Sequence, residues 1–180
     1  MRVITGSARS RVLKTLEGEN VRPTIDRVKE AVFSIIQFEI EGRRVLDLFA
    51  GSGQLGIEAL SRGAASAVFI DADKNAAAVV KANLESTKLG ENAVVLQTDA
   101  FAFLQTSGLT FDIVFLDPPY GTGILQKALP LAAGKTAQGG IIICEAPATE
   151  KLPESAGAFG LNRIYKYGKT AITTYRYRSE

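Results

Sequence analysis

From Arg43 onward, short apolar segments alternate with segments in which apolar residues recur at helical spacing. This alternation predicts repeated strand–helix–strand units, which build a mostly parallel sheet with helices on both faces. The predicted strands are Arg44–Phe49, Ala67–Asp71, Ala93–Thr98, Asp112–Asp117 and Gly140–Glu145. The predicted helices between them are Gln54–Arg62, Lys74–Lys88, Ala100–Thr106 and Ile124–Ala133. We therefore expect an α/β fold.

Both ends of the chain are expected to add to this architecture. Leu161–Tyr167 and Ala171–Arg178 flank Gly168-Lys169, which predicts a C-terminal antiparallel hairpin at one edge of the sheet. Two short basic segments separated by Thr5–Ser10 predict a small N-terminal hairpin or arm. Thr24 is the predicted cap of the helix that follows. The apolar positions of that helix are Val28, Ala31, Val32, Ile35, Ile36 and Ile40.

The composition narrows the chemistry available to this chain. We expect one domain, 1–180, in which residues 1–22 form the basic arm and residues 23–180 the body. The sequence has no histidine and one cysteine, Cys144, in an apolar run, which disfavours disulfides, metal sites and histidine acid–base catalysis. We expect Cys144 to be a core residue. Because no segment is apolar for long enough to span a membrane, we expect a cytoplasmic protein without membrane contact.

The net charge of +2 conceals basic ends and an acidic middle. Residues 1–30 carry seven Lys/Arg and four Asp/Glu, and residues 163–180 carry five Lys/Arg and one Asp/Glu. The remaining residues, 31–162, carry nine Lys/Arg and fourteen Asp/Glu. Basic ends around an acidic body are expected where the ends contact a polyanion, although solvated basic surfaces are also common.

A glycine pattern, G-x-G-x-x-G, lies between the first predicted strand and its helix, at Gly51–Gly56. Such glycines let the backbone turn tightly and approach a ligand closely. Asp71, about 20 residues further on at the end of the next strand, is positioned to accept hydrogen bonds from ribose hydroxyls. These residues indicate a ligand that contains adenosine, and both NAD and S-adenosylmethionine fit that description.

Asp47 favours S-adenosylmethionine over NAD. A carboxylate just before the glycine turn repels the pyrophosphate of NAD but attracts the ammonium and sulfonium groups of S-adenosylmethionine. Asp99, which begins the helix after the third strand, can reach the adenine amino group or cap that helix. The residues expected to contact the cofactor are Asp47, Phe49, Ala50, Gly51, Ser52, Gly53, Asp71, Asp99 and Ala100.

Asp117-Pro118-Pro119-Tyr120 follows an apolar run at the expected end of the fourth strand, where ligands bind in open α/β sheets. The Asp117 carboxylate and the Pro118 carbonyl can accept hydrogens from the exocyclic amine of a base and direct its lone pair at a methyl donor. Tyr120 would stack on the base, which must be unpaired. Alone, Asp117 fits a turn cap and Tyr120 a packing residue, but their combination with the cofactor residues favours catalysis.

Four segments of the sequence resemble a bacterial methyltransferase family that modifies N2 of a guanine in 16S ribosomal RNA. They are Arg22-Pro23-Thr24-x-Asp26-Arg27, Asp47–Gly53, Gly56–Ala64 and Asp117–Gly121. The similarity runs almost end to end. The Asp-Pro-Pro-Tyr element alone would indicate any amino-methyltransferase, whereas the Arg-Pro-Thr segment is more specific to this family.

The resemblance implies a Rossmann-like class I methyltransferase domain with S-adenosylmethionine as donor and S-adenosylhomocysteine as product. It also implies 16S rRNA within the small ribosomal subunit as substrate, and we expect a monomer. The residues expected to contact RNA are Arg9, Arg11, Arg22 and Arg27. Two positions depart from the family pattern, since Ser10 stands where the family usually has glycine and Asp71 where glutamate is commoner.

Three other functions fit parts of this pattern. The nearest is methylation of adenine N6 or cytosine N4 in DNA, although a chain of this length leaves little room for a DNA-recognition domain. The second is an RNA-binding assembly factor with a vestigial cofactor site, in which case Asp117→Ala should leave cellular function intact. An NAD-dependent oxidoreductase is the third, and cofactor binding distinguishes it.

Overall fold

The computed structural model describes residues 1–16 and 23–178, and the following elements lie within them. The helices are α1 (Pro23–Ile35), α2 (Gln54–Ser61), α3 (Lys74–Thr87), α4 (Ala100–Thr106) and α5 (Ile124–Ala133), with a short 3-10 helix at Gly90–Asn92. The strands are β1 (Arg44–Asp47), β2 (Ser66–Asp71), β3 (Ala93–Gln97), β4 (Phe111–Leu116), β5 (Thr136–Pro147), β6 (Ser155–Ala156), β7 (Phe159–Tyr167) and β8 (Thr170–Tyr177).

These strands form one sheet in the order β3-β2-β1-β4-β5-β8-β7-β6. Neighbouring strands from β3 to β5 pair in parallel, and β6, β7 and β8 add antiparallel pairs. The predicted α/β fold and C-terminal hairpin are therefore confirmed. In the described part of the chain, no helix has the length and apolar character to cross a membrane.

Several local predictions differ from the structure. α1 ends at Ile35, so Ile36 and Ile40 are buried but lie beyond the helix, and β1 ends at Asp47 instead of the predicted Phe49. β5 is longer at both ends than the predicted Gly140–Glu145, because its start pairs with β4 and its end, Pro147, pairs with Thr170 of β8. β6 has two residues, too few to show a periodic pattern in the sequence. α1 begins at Pro23, so Thr24 lies inside the helix and the predicted cap is wrong. Proline suits a first helical position because its fixed φ is helical and its missing N–H has no partner there.

Hydrophobic cores cover both faces of the sheet. One core packs α1, α2 and α3 against the sheet, and its members include Phe33, Ile57, Phe69, Val80 and Phe115. The other core packs α4 and α5 against the opposite face, and its members include Leu46, Leu104, Leu129, Cys144 and Tyr175. The predicted burial of Cys144 is confirmed, since its side chain is inaccessible to solvent.

The N-terminal segment forms the predicted hairpin. Arg2 and Val12 pair as an antiparallel bridge, and the N–H of Val3 donates to the carbonyl of Arg11 at 2.9 Å. Ser10 in the connecting turn has a φ of 70°, in the left-handed region where glycine carries no steric penalty. The turn therefore keeps a glycine-type conformation although the side chain is serine.

Buried polar side chains attach this hairpin to two helices. Glu58 of α2 is fully buried and accepts hydrogen bonds from the N–H groups of Ile4 (2.8 Å) and Thr5 (3.0 Å). Asn83 of α3 is also fully buried, accepts from the N–H of Lys14 at 2.8 Å and donates to its carbonyl at 3.0 Å. These two side chains thus anchor the hairpin to α2 and α3.

Candidate active site

A large cleft opens at the carboxyl ends of the parallel strands. Its volume is about 1540 Å³, which exceeds the roughly 300–1,000 Å³ typical of a pocket for one small ligand. Within residues 1–16 and 23–178, six acidic side chains and two lysines line it. No group of three or more His, Cys, Asp or Glu in those ranges is arranged to hold a metal ion. The cleft thus has room for two ligands, and its acidic lining favours a cationic one.

The glycine loop after β1 adopts the predicted tight turn. Gly51 and Gly53 have φ angles of 54° and 77°, and a Cβ on Gly53 would lie 3.1 Å from both methyl groups of Val80. The Asp71 carboxylate holds the loop, because it accepts hydrogen bonds from the N–H groups of Gly51 and Asp73, both at 2.9 Å. A carboxylate accepts at about four positions, so Asp71 retains capacity for ribose hydroxyls.

Asp47, the last residue of β1, lies at the base of the glycine loop and lines the cleft. It is 2% exposed, and its Oδ2 accepts a hydrogen bond from the N–H of Gly56 at 2.9 Å. Burial raises the pKa of this carboxyl to about 7, with a smaller contribution from Asp71 and an opposing one from the Gly56 hydrogen bond. A buried carboxylate is costly until an opposite charge approaches, so a ligand ammonium group fits this position.

The other predicted cofactor residues lie in the same part of the cleft as Asp47, at the ends of β1 and β3. Asp99 is exposed, lines the cleft and caps α4, because its Oδ1 accepts a hydrogen bond from the N–H of Ala102 at 2.9 Å. The cap predicted as one alternative for Asp99 is therefore present, and its position beside the cleft keeps the other alternative available. Gly53 shapes the loop but does not line the cleft. The remaining predicted cofactor residues do line the cleft, and they are Phe49, Ala50, Ser52 and Ala100.

The Asp117–Tyr120 segment follows β4 and borders the same cleft. Asp117 is partly buried and Pro118 is buried. Tyr120 is 48% exposed, and its hydroxyl donates to Oε1 of Glu145 at 2.9 Å and lies 3.5 Å from the hydroxyl oxygen of Thr170. The Tyr120 ring is therefore held at one end while part of its surface remains accessible, which differs from a core packing residue.

Glu145 is a cleft residue that sequence reasoning missed. It belongs to β5, contacts Tyr120 and lines the cleft. Burial raises the pKa of its carboxyl, whereas the hydrogen bond from Tyr120 lowers it. The sequence did carry a signal, because Glu145 directly follows an apolar strand segment, as Asp47 and Asp71 do.

Known proteins resemble this chain over nearly its whole length. A family model described as Conserved hypothetical protein 95 matches residues 1–176. Ribosomal RNA small subunit methyltransferase D of Escherichia coli K12 is 36% identical over 178 residues, which cover 98% of this chain and 89% of that protein. The chain belongs to the family of ribosomal RNA small subunit methyltransferase D. The family membership predicted from the sequence motifs is therefore confirmed.

Solved structures of related proteins share the fold of this chain. The Escherichia coli protein yhhF has a TM-score of 0.86 and 35% identity, and the match covers 100% of this chain and 99% of that one. The Thermus thermophilus 16S rRNA N2 G1207 methyltransferase, solved in complex with AdoMet and guanosine, has a TM-score of 0.75 and 26% identity. That match covers 91% of this chain and 45% of the other. The predicted class I methyltransferase fold is confirmed.

Three of the four predicted RNA-binding arginines lie among the described residues, and none of these three lines the cleft. Arg9 and Arg11 are exposed on the N-terminal hairpin, and Arg27 is exposed on α1. Arg22 lies outside the described residues. The hairpin and α1 nevertheless border the cleft, through Met1, Leu16, Val28 and Lys29. Exposed cations therefore lie on the two elements that flank one side of the cleft.

Proposed function

We propose that the protein transfers a methyl group from S-adenosylmethionine to the N2 amine of a guanine in 16S rRNA, presented by the small ribosomal subunit. One observation carries this proposal most directly. A buried carboxylate suited to a cationic cofactor and an Asp-Pro-Pro-Tyr segment suited to a planar amine border one cleft. The names of the related methyltransferases support the same substrate class.

The cofactor half of the cleft has groups that match each part of S-adenosylmethionine. Asp47 would pair with the ammonium group, Asp71 would accept from the ribose hydroxyls, and Asp99 would accept from the adenine amine. The glycine loop would let the backbone approach the ligand. When bound, S-adenosylmethionine supplies a methyl group on a cationic sulfur.

The Asp117–Tyr120 segment would prepare the amine of the target base. An exocyclic amine is a poor nucleophile because its lone pair is delocalised into the ring. The Asp117 carboxylate and the Pro118 carbonyl would accept its hydrogens and hold its lone pair toward the methyl donor. Tyr120 would stack on the base through its accessible surface. The amine proton becomes acidic only after methylation, so water can accept it.

The RNA substrate would be held by the basic ends of the chain. Arg9, Arg11 and Arg27 would contact phosphates beside the cleft, and we keep the prediction that Arg22 does so too. The target base must be unpaired or turned out of its helix to reach Asp117. We propose a cytoplasmic monomer that forms a single domain, with affinity for RNA that falls steeply as salt concentration rises.

A methyl-transfer assay with matched substrates tests the proposed function. Labelled S-adenosylmethionine is supplied with small subunits, naked 16S rRNA or DNA from cells that lack this gene, and the labelled nucleoside is identified. We expect N2-methylguanine from small subunits with the unaltered protein and none with Asp117→Ala. Label on DNA adenine or cytosine would overturn the proposal in favour of a DNA methyltransferase. Cofactor binding without label on any substrate would favour the assembly-factor alternative.

A further inference from the structure

The register of β4 and β5 brings Asp117 next to Glu145 at the edge of the sheet. Leu116, the last residue of β4, pairs with Cys144 of β5, and Asp117 and Glu145 are the residues that directly follow this pair. Side chains alternate between the faces of a strand, and neighbouring strands are about 4.8 Å apart. Phe115 and Ile143, two residues earlier on each strand, belong to the same core. The two carboxylates therefore start from adjacent positions on one face of the sheet.

The contacts of Glu145 hold it at the cleft without using its full acceptor capacity. Its Oε1 accepts the hydroxyl of Tyr120 at 2.9 Å, and that hydroxyl also lies 3.5 Å from the Thr170 hydroxyl oxygen. A carboxylate has two oxygens and about four acceptor positions. Because the side chain lines the cleft, it can accept a further hydrogen bond from a ligand there.

Asp117 alone cannot distinguish among bases. Guanine, adenine and cytosine all carry an exocyclic amine that an Asp-Pro-Pro-Tyr segment can hold. Guanine differs because its N1–H donor lies next to the N2 amine, whereas the ring nitrogen beside the amine in adenine or cytosine is an acceptor. A second carboxylate beside Asp117 would accept from guanine N1–H and would repel the lone pair of adenine or cytosine.

We infer that Glu145 is a specificity-determining residue that accepts the N1–H of the target guanine while Asp117 holds its N2 amine. This inference rests on the proposed function. It assigns the choice of guanine to a pair of carboxylates on neighbouring strands. Tyr120 would contribute twice, by stacking on the base and by orienting Glu145 through its hydroxyl.

The test replaces the target guanine with 2-aminopurine, which keeps the 2-amino group but has an acceptor at N1. The methylated nucleotide is first located with unmodified small subunits, and subunits are then reconstituted with guanine or 2-aminopurine at that position. The quantity measured is the ratio of kcat/KM for the guanine substrate to kcat/KM for the 2-aminopurine substrate. The unaltered protein should strongly favour guanine. Glu145→Gln should lower the ratio at least about tenfold, because the glutamine amide can donate to the N1 acceptor.

Three further variants separate this role from a structural one. Glu150→Gln is the matched control. Glu150 is a neighbouring glutamate that contacts Gln126 and lines a small pocket beside Tyr120, but it does not line the cleft that would hold the base. Its ratio should stay unchanged. Glu145→Ala should also lower the ratio while cofactor binding, which reports folding, is retained. Tyr120→Phe removes the hydroxyl contact and keeps the carboxylate.

The outcomes distinguish failure of this inference from failure of the proposed function. If Glu145→Gln, Glu145→Ala and Tyr120→Phe slow transfer to both substrates equally, Glu145 only supports Tyr120 and the inference is overturned. A lower ratio in both Glu145 variants and an unchanged one in Glu150→Gln would support it. If the unaltered protein does not methylate guanine-containing subunits, the proposed function itself fails.

Discussion

The two halves of the cleft are held in place by different kinds of contact. In the cofactor half, at the ends of β1, β2 and β3, each carboxylate accepts a hydrogen bond from backbone N–H groups at separations of 9, 20 and 3 residues. Those carboxylates are Asp47, Asp71 and Asp99. In the target half, at the ends of β4 and β5, the Tyr120 side chain contacts Glu145 and Thr170, which lie 25 and 50 residues away.

This difference shows which parts of the site depend on the whole sheet. Asp47 and Asp99 are fixed by the turns that follow them, and Asp71 is fixed by the glycine loop after the neighbouring strand β1, so this half is set by backbone geometry. The target half depends on side chains from β5 and β8 meeting the segment after β4. Substitutions should therefore separate cofactor affinity from the handling of the base.

The largest expected effect belongs to Asp117→Ala in the target half. Removal of the carboxylate that would hold the amine should lower kcat for methyl transfer about 10²- to 10³-fold, the range found when one preorganised group is removed from an active site. RNA affinity and S-adenosylmethionine affinity should stay near normal, as measured by filter binding and calorimetry. A parallel loss of cofactor affinity would contradict the separation of the two halves.

Gly56→Ala should disturb the cofactor half instead. A Cβ on Gly56 would lie 2.3 Å from a ring carbon of the buried Phe69, so β2 and α2 must move apart. We expect the free energy of unfolding, measured by urea denaturation, to fall by about 1–3 kcal/mol, and cofactor affinity to fall with it because the Gly56 N–H contacts Asp47. Gly90→Ala is the control, since a Cβ there has nothing within 4 Å.

Asp47 should make both stability and cofactor binding depend on pH. Its pKa is raised from 3.8 to about 7 in the folded protein, so between those values the folded chain keeps a proton that the unfolded chain has released. The free energy of unfolding of the ligand-free protein should therefore decrease as pH rises through this window. A bound ammonium favours the ionised carboxylate, so S-adenosylmethionine affinity should increase about fivefold to tenfold from pH 6 to 7.5.

Asp47→Asn is the matching control for this pH dependence. The amide does not titrate, so the contribution of this residue to both pH profiles should disappear. Calorimetry in buffers of different ionisation enthalpy should detect proton release on cofactor binding near pH 6 in the unaltered protein and less in the variant. An unchanged pH profile in Asp47→Asn would assign the titration to another group.

The smallest expected change in stability comes from a substitution that separates the two roles of Asp99. Serine caps helices about as well as aspartate, so Asp99→Ser should change the free energy of unfolding by less than about 0.5 kcal/mol. The shorter side chain would no longer reach the adenine amine, and cofactor affinity should fall about tenfold. Asp99→Ala should lose the cap as well, at a cost of about 1 kcal/mol. Normal cofactor affinity in Asp99→Ser would leave Asp99 as a cap alone.

The sequence predicted the elements whose signals are local. Apolar periodicity located the parallel strands and helices, and Gly51 and Gly53 marked the turn that the structure confirms. β6 escaped because two residues carry no period. The start of α1 was misplaced by two residues, because Thr24 was taken as the cap before the helix, whereas Pro23 is already helical.

Side chains that act across long sequence separations could not be located in this way. Buried Glu58 pairs with Arg62 four residues on, but it also accepts from two hairpin N–H groups more than 50 residues away, and no local pattern reports that second contact. The Tyr120–Glu145 contact likewise exists only once β4 and β5 are paired. The type of residue at each strand end was predictable, whereas the partners of its side chain were not.

Cys144 makes local unfolding of the target half measurable over time. It is the single cysteine of the sequence, it is inaccessible to solvent beside Glu145, and burial raises the pKa of its thiol. A thiol reagent can react only when β5 separates from its neighbours. The rate of labelling under native conditions would thus give the frequency of that opening. If S-adenosylmethionine slows this labelling, the longer labelling time would measure how strongly a ligand in the cofactor half stabilises the target half against opening.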